Sequence, residues 1–220
     1  MLELHFKPVL DSLDQLLAAA VTSIVIGIVA MALAMAVGTL GTVLSQGRSR
    51  LWRRSIIVYV DLFRGTPLLV QVLAFFFVPT ALGFKISPYL SGILALGLYY
   101  GAYITEIVRG AFEGVPAGHL DAARSLGMPA SRILWRIQLP QALAVVISPL
   151  AGQFARLFKA SSLLSVIGVA ELTLRGQFVM TRTYAPIETW IVVAAIYFAI
   201  YSVVVLGALF LERRLTRGRN

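Results

Sequence analysis

Cysteine is absent from this 220-residue chain, which excludes disulfides and thiolate metal sites. Charge is scarce. Only 13% of the residues are Asp, Glu, Lys or Arg, about half the ~25% of a soluble domain. Histidine occurs at His5 and His119 alone, too far apart in sequence to suggest a metal site. No phosphate loop of the form G-x-x-x-x-G-K-S/T occurs, so the chain does not power itself with ATP. No internal repeat is visible, whereas a secondary transporter usually has two related halves. The apolar stretches hold no paired carboxylates and no His/Cys constellation, so neither catalytic residues nor metal ligands are expected.

What is present is hydrophobicity: 59% of the residues, with mean hydropathy +0.85. The chain reads as one all-α membrane domain over 1–220, with no room for a separate soluble domain. Residues 15–47 carry no formal charge, and a span needs about 20 apolar residues. A first, tilted span is expected at 17–44, where Gly27, Gly38 and Gly41 would let a neighbouring helix approach closely. Further charge-free runs at 65–84, 86–105, 137–155 and 189–211 place spans at about 65–84, 86–106, 138–158 and 189–211. Ile56 to Phe63 reads as a short amphipathic helix at the membrane interface, ended by Arg64-Gly65-Thr66-Pro67. Asp61 and Arg64, at i and i+3, could pair. Tyr99, Tyr100 and Tyr103 fall near the end of the third span, where aromatic belts belong. Val166 to Phe178 is amphipathic but short of a span. Glu3, Asp11 and Asp14 against Lys7 argue against a cleavable leader.

The net charge of +9 would suggest nucleic acid in a soluble protein. Here the positive residues lie in short loops, so membrane orientation explains them and no nucleic-acid partner is expected. With the N-terminus outside, thirteen Lys and Arg lie inside, including the cluster Arg48, Arg50, Arg53, Arg54 and the tail from Arg213 to Arg219; five lie outside. This predicts N-out and C-in. Five spans are few to enclose a pathway, so a dimer is implied.

The longest polar interruption runs from Gly114 to Pro140. His119 to Leu126 fits a short helix with Ala122 and Ala123 as strong helix formers. Gly127 suits the position after a helix, where positive φ is cheap. Pro129 can open a second helix, and Pro140 marks a break. Asp121-Ala122-Ala123, three residues, Gly127, nine residues, then Ile137-Gln138-Leu139-Pro140 resembles the EAA loop of ABC importer permeases, with Asp121 where that family has Glu. The stretch Phe63-Arg64-Gly65-Thr66-Pro67-Leu68-Leu69-Val70-Gln71 is similar to the permeases for polar amino acids. So are Tyr103, Glu106, Arg109 and Gly110, and Ile167 to Leu172. Lys159-Ala160-Ser161-Ser162-Leu163 is similar too, with Ala160 in place of the usual acid.

The resemblance implies a type I ABC importer permease in the bacterial cytoplasmic (inner) membrane, importing a polar amino acid by alternating access. It implies a cytoplasmic ATPase dimer that binds the ATP and Mg, a second permease subunit, identical or related, and an extracytoplasmic solute-binding protein. The loop at 109–140 would be the coupling segment. Its ATPase contacts would come from His119, Leu120, Asp121, Ala122, Ala123, Arg124, Leu126 and Gly127, with Ala122 and Ala123 in the partner's groove. A secondary transporter or channel subunit, or a membrane-embedded enzyme, would instead need its own ion-coupling or catalytic constellation.

Arg156 is the most informative charge within a span. Such groups face the protein interior or a wet cavity. A guanidinium there could grip a solute carboxylate, with Lys159 at i+3 on the same face and Gln71, Ser161 and Ser162 as weaker candidates. The alternatives are a structural ion pair with Glu106, Glu171 or Glu188, or snorkelling to the headgroups.

Overall fold

The computed structural model describes residues 4–47 and 49–216, without the side chains of 208, 209 and 211–216. Every regular element in it is helical: α1 Lys7–Leu10, α2 Leu13–Gln46, α3 Arg50–Gly65, α4 Leu68–Ala81, α5 Pro88–Glu113, α6 Ala117–Ser125, α7 Ala130–Ile133, α8 Leu139–Ala160, α9 Leu172–Thr183 and α10 Pro186–Thr216. A π-turn at Leu134–Gln138 joins α7 to α8, and a 3₁₀ segment at Ser161–Ile167 follows α8. Four helical stretches are long and apolar enough to cross a membrane; counting the bent α3–α4 pair as one span gives five.

The molecule is built on the α2–α5 pair. Small residues make it possible. A Cβ on Gly41 would lie 2.6 Å from Thr105 Oγ1, and one on Gly38 would overlap Ile104. Gly97 and Gly101 of α5 receive Leu33 and Val37 of α2 in return. Thr42 seals the seam by donating to the Thr105 carbonyl at 3.0 Å. Gly27 differs from the other two glycines of α2. A Cβ there would meet Phe158 at 3.6 Å, an ordinary contact, so close approach is required at Gly38 and Gly41 only. Around the pair lies one core: Ile26 and Ala30 of α2, Val72 of α4, Leu96 and Ile104 of α5, Leu157 of α8 and Leu164 of the 3₁₀ segment.

Several expectations shift. The interfacial helix is longer than the Ile56–Phe63 expected, and it ends where Thr66-Pro67 was read as a breaker; α4 leaves at 107° to it. Gln71 fixes this elbow, its Nε2 donating to the Phe63 carbonyl at 2.8 Å and to Thr66 Oγ1 at 2.7 Å. Arg64 does not pair with Asp61 in its own helix. It crosses to Glu106 at 3.6 Å and lies over the Tyr103 ring. The third helix continues to Glu113, so Tyr99, Tyr100 and Tyr103 sit mid-helix as a cluster of touching rings rather than in a terminal belt. At Pro140 the helix does not break. The π-turn before it moves the preceding carbonyls out of α register: Leu139 N–H bonds the Leu134 carbonyl, five residues back. The proline ring therefore avoids the clash with a carbonyl four residues back that an α-helix would impose.

Opposite the α5–α6 loop, α9 lies over α2 and α10. It is too short to span and buries Leu172 and Val179 against Leu16, Ala20 and Val193. Its N-cap, Glu171, is fully buried. The carboxylate accepts from Leu174 N–H at 2.9 Å and from Tyr197 OH at 2.8 Å.

The coupling-loop candidate and the face of α8

Helix α6 ends as the sequence demands. Gly127 has φ +69. Its N–H bonds the Arg124 carbonyl at 2.9 Å, and Met128 N–H bonds the Ala123 carbonyl at 3.1 Å. These two bonds are the Schellman pattern, which satisfies carbonyls that the last turn leaves free and requires a left-handed residue. The expected helix His119–Leu126 is thus α6, displaced toward the N-terminus by one or two residues.

The two faces of α6 differ. Leu120 packs on the cluster of Ala111, Val115, Ala142 and Val146 from α5 and α8. Ala123 is only 3% exposed, so its methyl is already covered by this chain and it is not the partner-facing alanine expected from sequence. Ala122 is exposed, and with Gly118 and Ser125 at i−4 and i+3 it makes an outward stripe of small residues. Asp121 and Arg124 flank the stripe as an exposed ion pair at 2.7 Å. Leu126, 81% exposed, projects beside it. His119 Nδ1 lies 3.1 Å from Gln141 Oε1, which ties α6 to the first turn of α8. Gln138 donates to the Phe112 carbonyl at 3.4 Å. Beneath the loop, Gly114, Pro116, Arg136, Pro140 and Gln141 border a cavity of ≈ 490 Å³.

The rod that begins at Gln141 carries Arg156. From Leu139 to Arg156 is about 25 Å at 1.5 Å per residue. Arg156 is exposed on this chain, its Nε donating to the Gly152 carbonyl at 3.2 Å. None of the three carboxylates expected as partners reaches it: Glu106 binds Arg109 and Arg64, Glu171 binds Tyr197 and Leu174, and Glu188 accepts from His5 N–H at 2.7 Å. Among the described residues Arg156 has no ion pair. Lys159 turns the other way, its ammonium 4.7 Å from the centre of the Tyr201 ring on α10. The shared face expected from i, i+3 spacing therefore holds for the backbone positions and not for the charged ends.

The weaker candidates are engaged locally. Ser161 is buried and donates to the Phe158 carbonyl at 2.7 Å; half-buried Ser162 donates to the Lys159 carbonyl at 2.8 Å. Gln71 spends its amide nitrogen on the α3–α4 elbow, while its Oε1 is buried without a partner. The tyrosine cluster of α5 was legible in the sequence as residues but not as a place. Its position became clear only once α5 was seen to run past Glu106.

Comparison with known proteins fits this geometry. Residues 37–217 match the family of binding-protein-dependent transport system inner membrane components. The L-cystine transport system permease protein TcyB of Bacillus subtilis (strain 168) is 40% identical over 161 residues, covering 73% of this chain and 69% of that protein. The glutamine transport system permease protein GlnP of Escherichia coli (strain K12) is 35% identical, covering 72% and 74%. A crystal structure of an amino acid ABC transporter with histidines superposes with TM-score 0.92 at 27% identity, covering 97% of this chain and all of that one. An inward-facing MetNI methionine ABC transporter, 19% identical with TM-score 0.68, shares the fold. The chain belongs to the family of inner membrane components of binding-protein-dependent transport systems, as a multi-pass ABC permease subunit and a transport component rather than an enzyme.

Proposed function

We propose that this subunit forms, with a second permease subunit, the pathway for a polar amino acid, and that α6 docks in a groove of a cytoplasmic ATPase. The N-terminus then lies outside and the C-terminus inside, as the distribution of Lys and Arg favours. The spans are α2, α4, α5, α8 and α10, with α3 at the interface, and residues 109–140 are the coupling segment. The ATPase dimer holds the ATP and Mg. An extracytoplasmic solute-binding protein delivers the solute to the α9 end.

The observation that carries this reading is the outward stripe of Gly118, Ala122 and Ser125 on a helix fixed by a Schellman turn and tied by His119 and Gln141 to α8. Small side chains let a helix sink into a groove. Asp121, Arg124 and Leu126 rim the contact, Leu120 and Ala123 hold the helix to its own subunit, and Gly127 sets the turn.

Arg156 is the carboxylate-binding residue of this proposal. Its guanidinium is exposed and has no ion pair among the described residues, and a planar fork suits a carboxylate. The relatives named above transport cystine and glutamine, which share an α-carboxylate. Lys159 contributes positive potential from the α10 side. Ser161, Ser162 and Gln71 act by shaping the backbone around the site rather than by direct contact.

The test is Ala122→Trp. The position is exposed, so the subunit should insert and extract normally, while co-purification with the ATPase is lost. Gly127→Val forces a β-branched residue to positive φ at a cost of about 1 kcal/mol or more, and solute-stimulated ATP hydrolysis should fall with it. Normal stimulation in both variants would remove α6 as the docking helix.

A further inference from the structure

Helix α3 has three distinct sides: one packs on the protein, a second is aliphatic and exposed, and the third is charged and reaches the protein through Arg64. Ile56, Tyr59, Val60 and Phe63 turn toward the protein. Val60 is buried, Tyr59 OH donates to the Leu98 carbonyl at 2.6 Å, and the Phe63 ring lies 6.4 Å from that of Phe75. Leu51, Val58 and Leu62, at i, i+7 and i+11, share a second side and are 73%, 65% and 58% exposed. Arg50, Arg53, Arg54, Asp61 and Arg64 define the third. Arg64 is engaged by Glu106. Arg50, Arg53 and Arg54 have no carboxylate partner among the described residues, and Asp61 lies about 12 Å along the helix from Arg53.

The angle of 107° between α3 and α4 sets the orientation. If α4 crosses the bilayer, α3 lies nearly in its plane. A helix in that plane with protein on one side, an exposed aliphatic side and an arginine side matches the layered chemistry of the interface. Trp52, four and seven residues before Ile56 and Tyr59, continues their side of the helix toward its N-terminus but is 54% exposed there, and its amphipathic ring favours headgroup depth.

We propose that α3 is a binding site for anionic phospholipids, with Arg50, Arg53 and Arg54 holding the headgroup phosphates and Leu51, Val58 and Leu62 seated among the acyl chains. Guanidinium matches phosphate bidentately, and three within five residues concentrate anionic lipid where neutral lipid would gain nothing. Because Gln71 clamps α3 to α4, the bound lipid also fixes the tilt of α4. The site stands apart from the docking surface of α6.

The experiment uses the full chain with Trp135→Phe and Trp190→Phe, leaving Trp52 as the sole indole, in nanodiscs of mixed phosphatidylcholine and phosphatidylglycerol. The bulk composition is held constant and the bromine label is carried by one lipid or the other. Brominated phosphatidylglycerol should quench Trp52 more strongly than brominated phosphatidylcholine at equal mole fraction. The excess should correspond to local enrichment of about fivefold, the contribution of one arginine near an anionic surface. Arg50→Gln, Arg53→Gln and Arg54→Gln together should abolish the preference. Should that variant fail to incorporate, raised NaCl applied to the parent should weaken the preference instead. Equal quenching by both lipids overturns the proposal. Quenching by neither also overturns it, since the face is then covered by protein. Both leaflets carry the same lipids, so the result does not depend on chain orientation, and a failed ATPase assay leaves it untouched.

Discussion

The α2–α5 seam and the outward face of α8 are built from opposite materials. The seam sets glycines of each helix against Leu33, Val37, Ile104 and Thr105 of the other, with no charge among these residues. The face of α8 carries Arg156 and Lys159, exposed and without acids. In a membrane, helices gain little from excluding lipid, since lipid tails are as apolar as leucine; close packing and interhelical hydrogen bonds hold them together. The seam spends its sequence on that. A desolvated cation is expensive in lipid, so the α8 face fits a wet pathway or a partner subunit and not hydrocarbon. The seam holds the subunit together, and meeting the solute is the role proposed for the α8 face.

The comparison breaks most visibly at Gly38. Gly38→Val drives branched carbons into Ile104 and against the Gly101 carbonyl, and overpacking of this kind costs about 1–3 kcal/mol or more. The expected outcome is severe loss of membrane-inserted, detergent-extractable subunit. Gly27→Ala, on the same helix with only ordinary contacts, should extract as the parent does. Equal damage from both would mean that the seam is not where close approach matters.

Arg156 tests the other region. Because no carboxylate of this chain neutralises it among the described residues, Arg156→Lys should leave extraction yield and thermal midpoint unchanged. Apparent affinity for import in proteoliposomes should weaken about tenfold, the loss of one charge-assisted hydrogen bond. Reduced yield with unchanged affinity would transfer Arg156 to a structural role at a subunit contact.

Ser162→Ala should do least. Its hydroxyl bonds only the Lys159 carbonyl one turn back, so yield and import should both remain within the scatter of surface substitutions, about 0.5 kcal/mol. A large import defect in this variant would return Ser162 to the solute site and enlarge the functional face toward α10.

Much of this was readable before any coordinates. Charge-free runs locate spans because backbone and side chains must both be satisfied in lipid, a constraint that acts locally. The Gly127 turn was legible for a similar reason: φ +69 is a property of one residue, and the Schellman bonds close within six. Spacing alone could not say which alanine of the loop faces outward. Ala122 and Ala123 are adjacent and chemically identical, and the choice is made by Leu120 docking on Ala111 and Ala142, residues remote in sequence. Nor could it foresee that Arg64 prefers Glu106 to Asp61, because a bond across helices depends on how α3 lies on α5. Pro140 misled for a definite reason. A proline predicts a break when the preceding turn is α, and here the preceding turn is π.

The sequence by itself determined the membrane class, the loop between α5 and α8, and the family. Each of these follows from composition, charge or fixed local spacing. Tertiary structure alone decided which charges find partners across helices. It left Arg156 exposed while Glu106, Glu171 and Glu188 were satisfied elsewhere, sent Lys159 to Tyr201, and set α3 across α4. Those outcomes depend on distances between helices, and helix separation is fixed by the glycines of a seam whose partner residues lie about sixty positions apart.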